Sequence, residues 1–491
     1  MILHMVVDTS ALSSIISSDV ATVSDRSRKL VEQYIRSQKE REKPRMKITS
    51  TYSVKIKDYN RILEPTVRLY RSAVDFFIRV IDTEWPVFQD CRTSKGAVNL
   101  TEQFCVRTVR NLYPKYDFTG EFYKFPSYLR RAAIAEAYGK VCSYKSNLKN
   151  WQAADPHTRG AKPSAPVAGF VYPAMYRDNC YVRVDDYTAR IKVFIRNTWD
   201  WLTIRFRKSD VDYISRHCFG RKECVPTLQK RGRQWYLDFT FTAERDLSST
   251  DIFHQTIVAV DLGINSACVC SVMRSDGTVI GRRFLRLQKE YDCLERKISR
   301  IKYAQHHGSR RMPALWKLAD GVNDDIAVKT AQFIIDTAVL YNADVIVMEA
   351  LDLKGRKRGS KRQRLHLWKA KYVQAMVTDK AHTLGMRISR VCAWGTSRLA
   401  FDGSGRVLRG QESEKTNHNY SLCEFPAGKV YNCDLNASYN IGARYFVREI
   451  IKSLPVTEGQ HITAKVPGCA KRSTCTLSTL ISLNGELYAA A

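Results

Sequence analysis

At 491 residues the chain is too long for one compact core, so two to four domains are expected. Its hydrophobic share of 44% and aromatic share of 11% are ordinary for a folded protein and argue against global disorder. Lysine and arginine outnumber aspartate and glutamate by 79 to 49; the net charge of +30 favours a polyphosphate partner over a merely solvated basic surface.

The cysteines and the first residues of the chain indicate in which cellular compartment the protein is expected. Fourteen cysteines without the regular spacing of a disulfide framework predict reduced, mostly buried thiols in an intracellular protein. Asp8 interrupts the first apolar residues and no basic segment precedes them, which argues against a signal peptide. Because no run approaches the roughly 18–20 apolar residues of a membrane span, we expect a soluble, cytoplasmic protein with no membrane partner.

The chain begins with a basic extension at 1–45. Within 46–61, apolar and polar residues alternate from 48 to 56, which predicts a β-strand. Residues 62–155 predict a helical domain, because apolar side chains recur there at helical spacing. Aromatic residues and lysines are interleaved at 113–125; such a cluster either stacks on nucleic-acid bases or packs between helices, and packing is the favoured interpretation.

The next region is predicted to be rich in β-strands. Proline, glycine, alanine and serine at 153–168 mark a loop or domain junction. The basic residues at 230–233 predict a hairpin turn before a strand at 235–241. Residues 156–250 are therefore expected to form a β-rich domain.

From 251 to 391 predicted strands and helices alternate. Asp276-Gly277 predicts a tight turn within a meander of three strands. Two apolar runs, 257–260 and 345–348, are hydrophobic on both faces, so we expect them in the middle of a covered sheet. The predicted strands are 256–261, 267–273, 278–287, 345–349 and 387–391, and the predicted helices are 286–306, 322–341 and 365–384.

Three acidic residues lie at the ends of predicted elements. Asp261 and Glu349 end the two apolar runs, where parallel sheets place their ligands, and Asp434 opens an amphipathic helix. A carboxylate at the end of a buried strand is costly unless something positive binds there. Taken singly, Asp261 has the alternative role of a turn former and Asp434 that of a helix N-cap. Glu349 has no such routine alternative.

Together the three acids predict a divalent metal cluster. Two divalent ions about 3.5–4 Å apart generate a nucleophilic hydroxide from water and neutralise the charge on the leaving oxygen of a phosphodiester. Mg²⁺ prefers oxygen ligands and keeps several waters, so a few carboxylates suffice, and Mn²⁺ is the alternative ion. Given the basic excess of the chain, we expect nucleic acid as the substrate.

The chain resembles the RuvC-type nuclease half of the transposon-encoded TnpB proteins and of the miniature type V CRISPR effectors. The matching stretches are 260–265, 346–351 and 432–441, and a Thr-Ser dipeptide occurs at 396–397, where the family has one. The resemblance is firm over 255–450 and extends to the first half only in the order of its parts. It implies a multidomain α+β protein with an RNase H-like (RuvC) α/β nuclease domain, a β-barrel wedge domain and a helical recognition domain.

The resemblance also implies function and domain organisation. Asp261, Glu349 and Asp434 would be the catalytic metal ligands of an enzyme that cleaves target DNA under the direction of a guide RNA. A guide from a transposon end and one from a CRISPR array both fit the sequence. The implied domains are an N-terminal basic extension (1–45), a first wedge strand (46–61), a helical recognition domain (62–155), a β-rich wedge domain (156–250), the first part of the nuclease (251–391), a substrate-loading lobe (392–431), the last nuclease motif and helix (432–455) and a C-terminal tail (456–491).

The substrate-loading lobe departs from the family pattern. TnpB-like proteins carry two Cys-x-x-Cys pairs that form a zinc ribbon between the second and third acidic motifs. In this chain the first pair is absent, and only Cys423 remains of the second, with Pro426 in its partner's place. Zinc requires about four soft ligands in a tetrahedral arrangement, which Cys392, Cys423 and Cys433 do not supply. We therefore expect no zinc in this lobe.

A basic segment without acids follows Glu349. Beside a carboxylate cluster it would guide an anionic strand inward, with a solvated face as the alternative. The helix predicted at 286–306 would hold the backbone of a guide RNA or of a heteroduplex. The predicted nucleic-acid-binding residues are Lys354, Arg356, Lys357, Arg358, Lys361, Arg362 and Arg364 in the segment, and Arg296, Lys297 and Arg300 on the helix.

Two other functions use some of the same features. A junction resolvase or strand-transfer transposase of the RNase H fold needs the same acids but no guide RNA. A binding-only protein, such as a transcriptional repressor, would carry a silent nuclease domain, and the complete set of acids argues against it.

Overall fold

The computed structural model describes residues 45–57, 61–91, 93–109, 111–157, 159–176, 178–263, 266–351 and 368–490. They divide into two compact units. One unit is Thr49–Ala243, and the other contains the residues from Glu244 onward together with the described residues before Thr49.

The Thr49–Ala243 unit combines a seven-stranded sheet with helices. The sheet has the strand order β2-β3-β4-β1-β7-β5, and β6 pairs with β7. The turn between β6 and β7 is the predicted hairpin turn, and it contains Gly232 with a φ of +60°. The strands are β1 (Arg45–Lys57), β2 (Tyr181–Arg183), β3 (Thr188–Ile195), β4 (Thr198–Phe206), β5 (Lys222–Glu223), β6 (Thr227–Arg231) and β7 (Gln234–Asp246), and the helices are α1 (Glu64–Thr83), α2 (Trp85–Phe88), α3 (Ser94–Cys105), α4 (Phe118–Glu121), α5 (Ser127–Ala153) and α6 (Lys208–His217).

The aromatic cluster that follows α3 divides between the core and the surface. The ring of Phe118 stacks on that of Phe122, with centroids 4.7 Å apart, and packs edge-on against Phe76 of α1. These rings are buried, so packing between helices, the favoured interpretation from the sequence, is confirmed for them. Tyr113 and Tyr123 are instead 90% and 72% exposed.

The second unit is built around a five-stranded sheet of order β10-β9-β8-β11-β12. Its first three strands form the predicted antiparallel meander, and β11 runs parallel to both β8 and β12. The elements are β8 (Thr256–Asp261), β9 (Cys268–Arg274), β10 (Val279–Leu285), α7 (Gln288–His306), α8 (Pro313–Leu340), β11 (Val345–Ala350), α9 (Ala370–Thr383), β12 (Arg387–Cys392), β13 (Leu408–Arg409), β14 (Leu422–Glu424), β15 (Val430–Asn432), α10 (Cys433–Ser453), α11 (Val456–Lys465) and α12 (Leu477–Ala490).

Helices cover both faces of this sheet, as the apolar runs predict. Val258 of β8 and Ile346 of β11 pack in a cluster with α8 and α9. Ile257 and Val345, on the other face, pack with α10. The predicted helix at 322–341 is longer than expected, because α8 begins at Pro313.

The C-terminal region needs a correction. Residues 456–491, expected from the sequence to be a tail, contain α11 and α12. Ile462, Leu480 and Leu483 are buried in the same core cluster as α10, so these helices complete the core. Across the residues that the structure describes, no helix is both long enough and apolar enough to cross a membrane.

Candidate active site

The parallel pairing of β8 and β11 brings Asp261 and Glu349 to the same edge of the sheet. The two strands pair in register up to the residue before each acid. Because side chains alternate along a strand, each acid points to the same face as the residue two positions earlier, Ala259 or Val347. Those two residues pack in the cluster formed with α10. Both carboxylates therefore lie on the α10 side of the sheet.

The third acid, Asp434, lies in the first turn of α10. The side chain of Asn432 caps this helix by accepting a hydrogen bond of 2.8 Å from the backbone N–H of Leu435. Asp434 is therefore not the N-cap, which was its alternative role. Its carboxylate instead accepts a hydrogen bond from the side chain of Ser266.

Close packing of α10 on the sheet fixes the position of Asp434. A Cβ atom at position 442 would lie 2.4 Å from Sδ of Met273 and 3.2 Å from Cβ of Ala259, so Gly442 allows the helix to approach. One turn earlier, the hydroxyl oxygens of Ser438 and Ser271 are 2.5 Å apart in a buried hydrogen bond.

The loop after β12 is tied to both α10 and Glu349. Asn440 of α10 donates from Nδ2 to the carbonyl oxygens of Thr396 and Leu399, at 2.9 and 2.8 Å. Thr396 Oγ1 in turn donates to Glu349 Oε1 at 2.5 Å. Gln374 of α9 donates to the backbone carbonyl oxygen of Glu349 at 2.8 Å. The helix that carries one acid thus positions the loop that orients another.

The three carboxylates line a single cavity of about 430 Å³. Arg409 of β13 is the one cation among the described residues of its wall. One terminal nitrogen of Arg409 donates to the carbonyl oxygen of Tyr420 at 3.2 Å, while its buried Nε has no hydrogen-bond partner among the described residues. The cavity therefore combines an anionic cluster with one incompletely paired guanidinium.

Burial raises the pKa of each carboxylate, and repulsion by the other two acids adds to the rise at Asp261. The pKa of Asp261 lies well above its usual value, chiefly because of burial and then because of Glu349 and Asp434, with Arg409 opposing them. Burial likewise raises the pKa of Glu349 and of Asp434, partly offset in each by a hydrogen bond. Three charged carboxylates in one desolvated site require either bound protons or cations between them.

The donor set fits a hard divalent cation. Carboxylate oxygens are the ligands that Mg²⁺ and Mn²⁺ prefer, and no thiol or imidazole lies among the described residues that line the cavity. Nevertheless, in the parts of the chain that the structure describes, no group of three or more His, Cys, Asp or Glu side chains is arranged to hold a metal ion. The acids share a cavity without forming a closed ligand set.

The predicted substrate-loading lobe contains the three-stranded sheet β13-β14-β15. Cys423 and Cys433 are fully buried there and share a hydrogen bond, with Ala400, Val407 and Phe425 in the same small core. Cys392 is exposed. The absence of zinc from this lobe stays a prediction.

The predicted nucleic-acid-binding residues fall in two groups. Arg296, Lys297 and Arg300 lie on exposed or half-buried positions of α7, and none of them lines the cavity. Residues 352–367 lie outside the described residues and include most of the basic segment at 354–371. Lys354, Arg356, Lys357, Arg358, Lys361, Arg362 and Arg364 therefore stay predictions from the sequence.

Sequence reasoning missed Arg409 and the asparagines that hold the loop. No local pattern around Arg409 marks it as a neighbour of the acids. The spacing of Asn436 and Asn440 indicates that they act on the same neighbour, because residues four apart share a helix face. Both donate to the carbonyl oxygen of Leu399, at 2.9 and 2.8 Å.

Comparisons with known proteins give one matching family model and two similar proteins. The Aq_aa04 family model matches residues 50–195. The uncharacterized protein aq_aa04 of Aquifex aeolicus (strain VF5) is 29% identical over 158 residues, which cover 29% of this chain and 88% of that protein. The TnpB-like protein aq_aa05 of the same organism is 28% identical over 240 residues, which cover 43% of this chain and 74% of that protein.

A similar solved structure is the cryo-EM structure of a Cas12f1–sgRNA–target DNA complex. The similarity has a TM-score of 0.51 at 11% identity and covers 78% of this chain and 81% of that chain. It shows a mixed α/β, multidomain fold of the Cas12 type. The resemblance to TnpB-like proteins that the sequence predicts is confirmed.

Proposed function

We propose that the chain is an RNA-guided DNA endonuclease that hydrolyses phosphodiesters of target DNA with bound metal ions. The observation that carries the proposal is that Asp261, Glu349 and Asp434, remote along the chain, line one cavity together with Arg409. In this proposal the sheet containing β8 and β11 belongs to an RNase H-like (RuvC) nuclease domain. The Thr49–Ala243 unit contains the β-barrel wedge and the helical recognition domain.

The acids would hold two Mg²⁺ ions, or Mn²⁺ in their place. When bound, these ions would supply an activated water and neutralise the charge on the leaving oxygen. The hydrogen bond from Thr396 restricts rotation of the Glu349 carboxylate, and the Ser266 hydrogen bond does the same for Asp434. Because burial raises the pKa of all three acids, protons would compete with a cation for these carboxylates, and the cation should bind more tightly as the pH rises.

Arg409 would contact the scissile phosphate. A guanidinium stays protonated at any working pH and matches the geometry of phosphate oxygens. In a cavity shielded from water it would stabilise the charge that develops on those oxygens during cleavage. Its position in the wall of the cavity that the three carboxylates line supports this role.

Two observations support a guide RNA as a partner: the similarity to the Cas12f1 structure and the positive net charge of the chain. The solved Cas12f1 chain binds an sgRNA and target DNA, and the net charge of +30 suits long phosphodiester partners. Base pairing would then read the target sequence, while the N-terminal unit would read a short flanking motif and hold the RNA. Arg296, Lys297 and Arg300 would contact the guide or heteroduplex backbone, and the basic segment at 354–371 would guide the strand to be cut.

The test is to express the full chain together with the genomic sequence that flanks its gene, and to sequence any RNA that co-purifies. Guide-matched DNA with randomised flanks is then incubated with Mg²⁺ and wild-type protein or Asp261→Asn. We expect a discrete RNA, cleavage of matched DNA by the wild type and none by the variant. Cleavage without RNA would indicate a resolvase or transposase, and target binding without cleavage a silent, binding-only protein.

A further inference from the structure

A second cavity, of about 570 Å³, lies between the C-terminal half of α10 and the segment before α12. It shares no lining residue with the cavity of the three acids. Its first residue on α10 is Arg444, ten positions after Asp434 and therefore about 15 Å further along the helix axis. The second cavity is thus a separate place in the fold.

The wall of this cavity is strongly basic. Arg444, Arg448 and Lys452 are spaced four residues apart on one face of α10, and Arg472 joins them from the segment before α12. Like charges at this spacing destabilise a helix. Glu449 is the only acid among the described lining residues, and it pairs with Arg448 at 2.8 Å. Arg444, Lys452 and Arg472 therefore make no ion pair with the described residues of this wall.

Two of these cations are free to bind a ligand. Lys452 and Arg472 are exposed, and neither side chain has a hydrogen bond or ion pair to another residue that the structure describes. Both line the cavity. Their side chains present unpaired donors at the cavity wall, and an anionic ligand would neutralise their positive charge.

Arg444 adds a buried guanidinium that makes no direct ion pair among the described residues, although the charge of Glu349 acts on it. Its side chain is 3% exposed, and its hydrogen bonds go to backbone carbonyl oxygens, among them those of Cys392 at 2.6 Å and Cys475 at 3.2 Å. Burial lowers the pKa of this guanidinium. Glu349 offsets only part of the effect of burial, and an anion in the adjoining cavity would further stabilise the charged guanidinium.

The lining chemistry indicates phosphate rather than base recognition. No aromatic ring lies among the described lining residues on which a base would stack, and the one carboxylate is already paired. We propose that this cavity binds phosphate groups of a nucleic-acid backbone, independently of base sequence. The inference rests on the proposed function, because it takes nucleic acid as the ligand, and it adds an anchoring site remote from the cleavage site.

The experiment compares two double charge reversals in full-length protein carrying Asp261→Asn, with EDTA present so that no strand is cut. Lys452→Glu with Arg472→Glu removes the two unpaired cations of the cavity. Lys317→Glu with Arg311→Glu is the matched control, because these residues are also exposed cations but lie outside the cavity. Both double variants change the net charge by the same amount, and melting temperatures check that each is folded.

Affinity is measured by fluorescence anisotropy with labelled single-stranded DNA and RNA of one sequence, over a series of salt concentrations. The cavity variant should bind both strands about tenfold or more weakly than the control, and its salt slope should fall by about 1.4, or ~0.7 for each lost phosphate contact. Equal affinities of the two double variants would overturn the proposal. Calorimetry with inorganic phosphate gives a second outcome. If the cavity variant binds inorganic phosphate more weakly than the control but binds the oligonucleotides equally well, the proposal is also overturned.

The outcome is independent of the cleavage test. If the wild type cuts no guide-matched DNA, the proposed function fails, yet a difference between the two double variants still supports a backbone-binding cavity. If the wild type cuts but the double variants bind alike, the cavity proposal alone fails.

Replacing Lys452 and Arg472 with glutamine gives a milder second variant. Its affinity for the oligonucleotides should lie between that of the control and that of the charge reversal.

Discussion

Thr396 donates its hydroxyl hydrogen to Oε1 of Glu349 at 2.5 Å, across 47 residues of sequence, and both side chains are buried. The bond joins the loop after β12 to the end of β11. It also opposes the effect of burial on the pKa of Glu349. One threonine thus influences both the orientation and the charge of a candidate metal ligand.

Replacing Thr396 with valine should slow DNA cleavage about ten- to hundredfold, since a hydrogen bond to a charged group contributes ~1.5–3 kcal/mol. The Mg²⁺ concentration that gives half-maximal rate should rise, because the glutamate loses its fixed orientation. Single-turnover cleavage over a Mg²⁺ titration measures both effects. Thr396→Ser keeps the hydroxyl and should keep most of the activity, so equal rates for the two variants would contradict this role.

Asp261→Asn should raise the melting temperature of the metal-free protein while it abolishes cleavage. The substitution removes one of three buried charges that repel each other. In the wild type Mg²⁺ should raise the melting temperature, because a ligand that binds only the folded state stabilises it, and the variant should respond far less. Scanning fluorimetry in EDTA and in Mg²⁺ measures this, with Asp379→Asn as an exposed control. A variant less stable than the wild type in EDTA would count against the cluster.

The raised pKa values predict that metal-free protein becomes less stable as the pH rises. An acid whose pKa is higher in the folded state binds more protons when folded, so the free energy of unfolding falls with increasing pH. The fall should begin near the unfolded pKa of about 4 and end once the pH exceeds the raised folded-state values. Urea unfolding in EDTA should show a steeper decline for wild type than for Asp261→Asn. Parallel curves for the two proteins would argue against mutual repulsion.

The sequence predicts the sheet edge of the site better than its surroundings. The runs before Asp261 and Glu349 are apolar on both faces, a pattern that few arrangements other than a covered parallel strand satisfy. Asp434 follows a capping asparagine at the start of a helical pattern, so its place is also encoded locally. These signals arise from the backbone geometry of single elements, and they need no knowledge of the tertiary fold.

The rest of the site depends on contacts between distant segments. Arg409 reaches the acids only because β13 pairs with β14 in the lobe that follows β12, and no local periodicity encodes that approach. For helix α12 the local pattern is present in the sequence, but its place in the core is not. Leu477, Leu480 and Leu483 recur at helical spacing, but only their packing with α10 distinguishes a core helix from a mobile tail. Burial against a partner element is a property of the fold.

Arg409→Ala should lower the cleavage rate by about 10²–10³, the usual cost of removing one donor to a developing oxyanion. Since Arg409 lowers the pKa of Asp261, its loss should also move the pH–rate profile to higher pH. Arg409→Lys keeps the charge but not the forked donors, so it should lose rate with a smaller shift of the profile. Single-turnover rates across pH measure both effects, and gel-shift assays should show unchanged RNA binding. A rate defect with an unmoved profile would contradict the coupling to Asp261.

Gly442→Ala should destabilise the protein by about 1–3 kcal/mol, the typical cost of overpacking a core. Met273 is fully buried and cannot move away freely, and Cβ of Ala259 lies 3.2 Å from the added atom. Gly321→Ala in α8 is the matched control: its Cβ would meet nothing within 4 Å, so it should be neutral or stabilise the helix by up to ~1 kcal/mol. Urea unfolding measures both changes. Because the displaced helix carries Asp434, Gly442→Ala should also slow cleavage at saturating Mg²⁺. A stable and fully active variant would mean that the contact of Gly442 with the sheet does not position the acid.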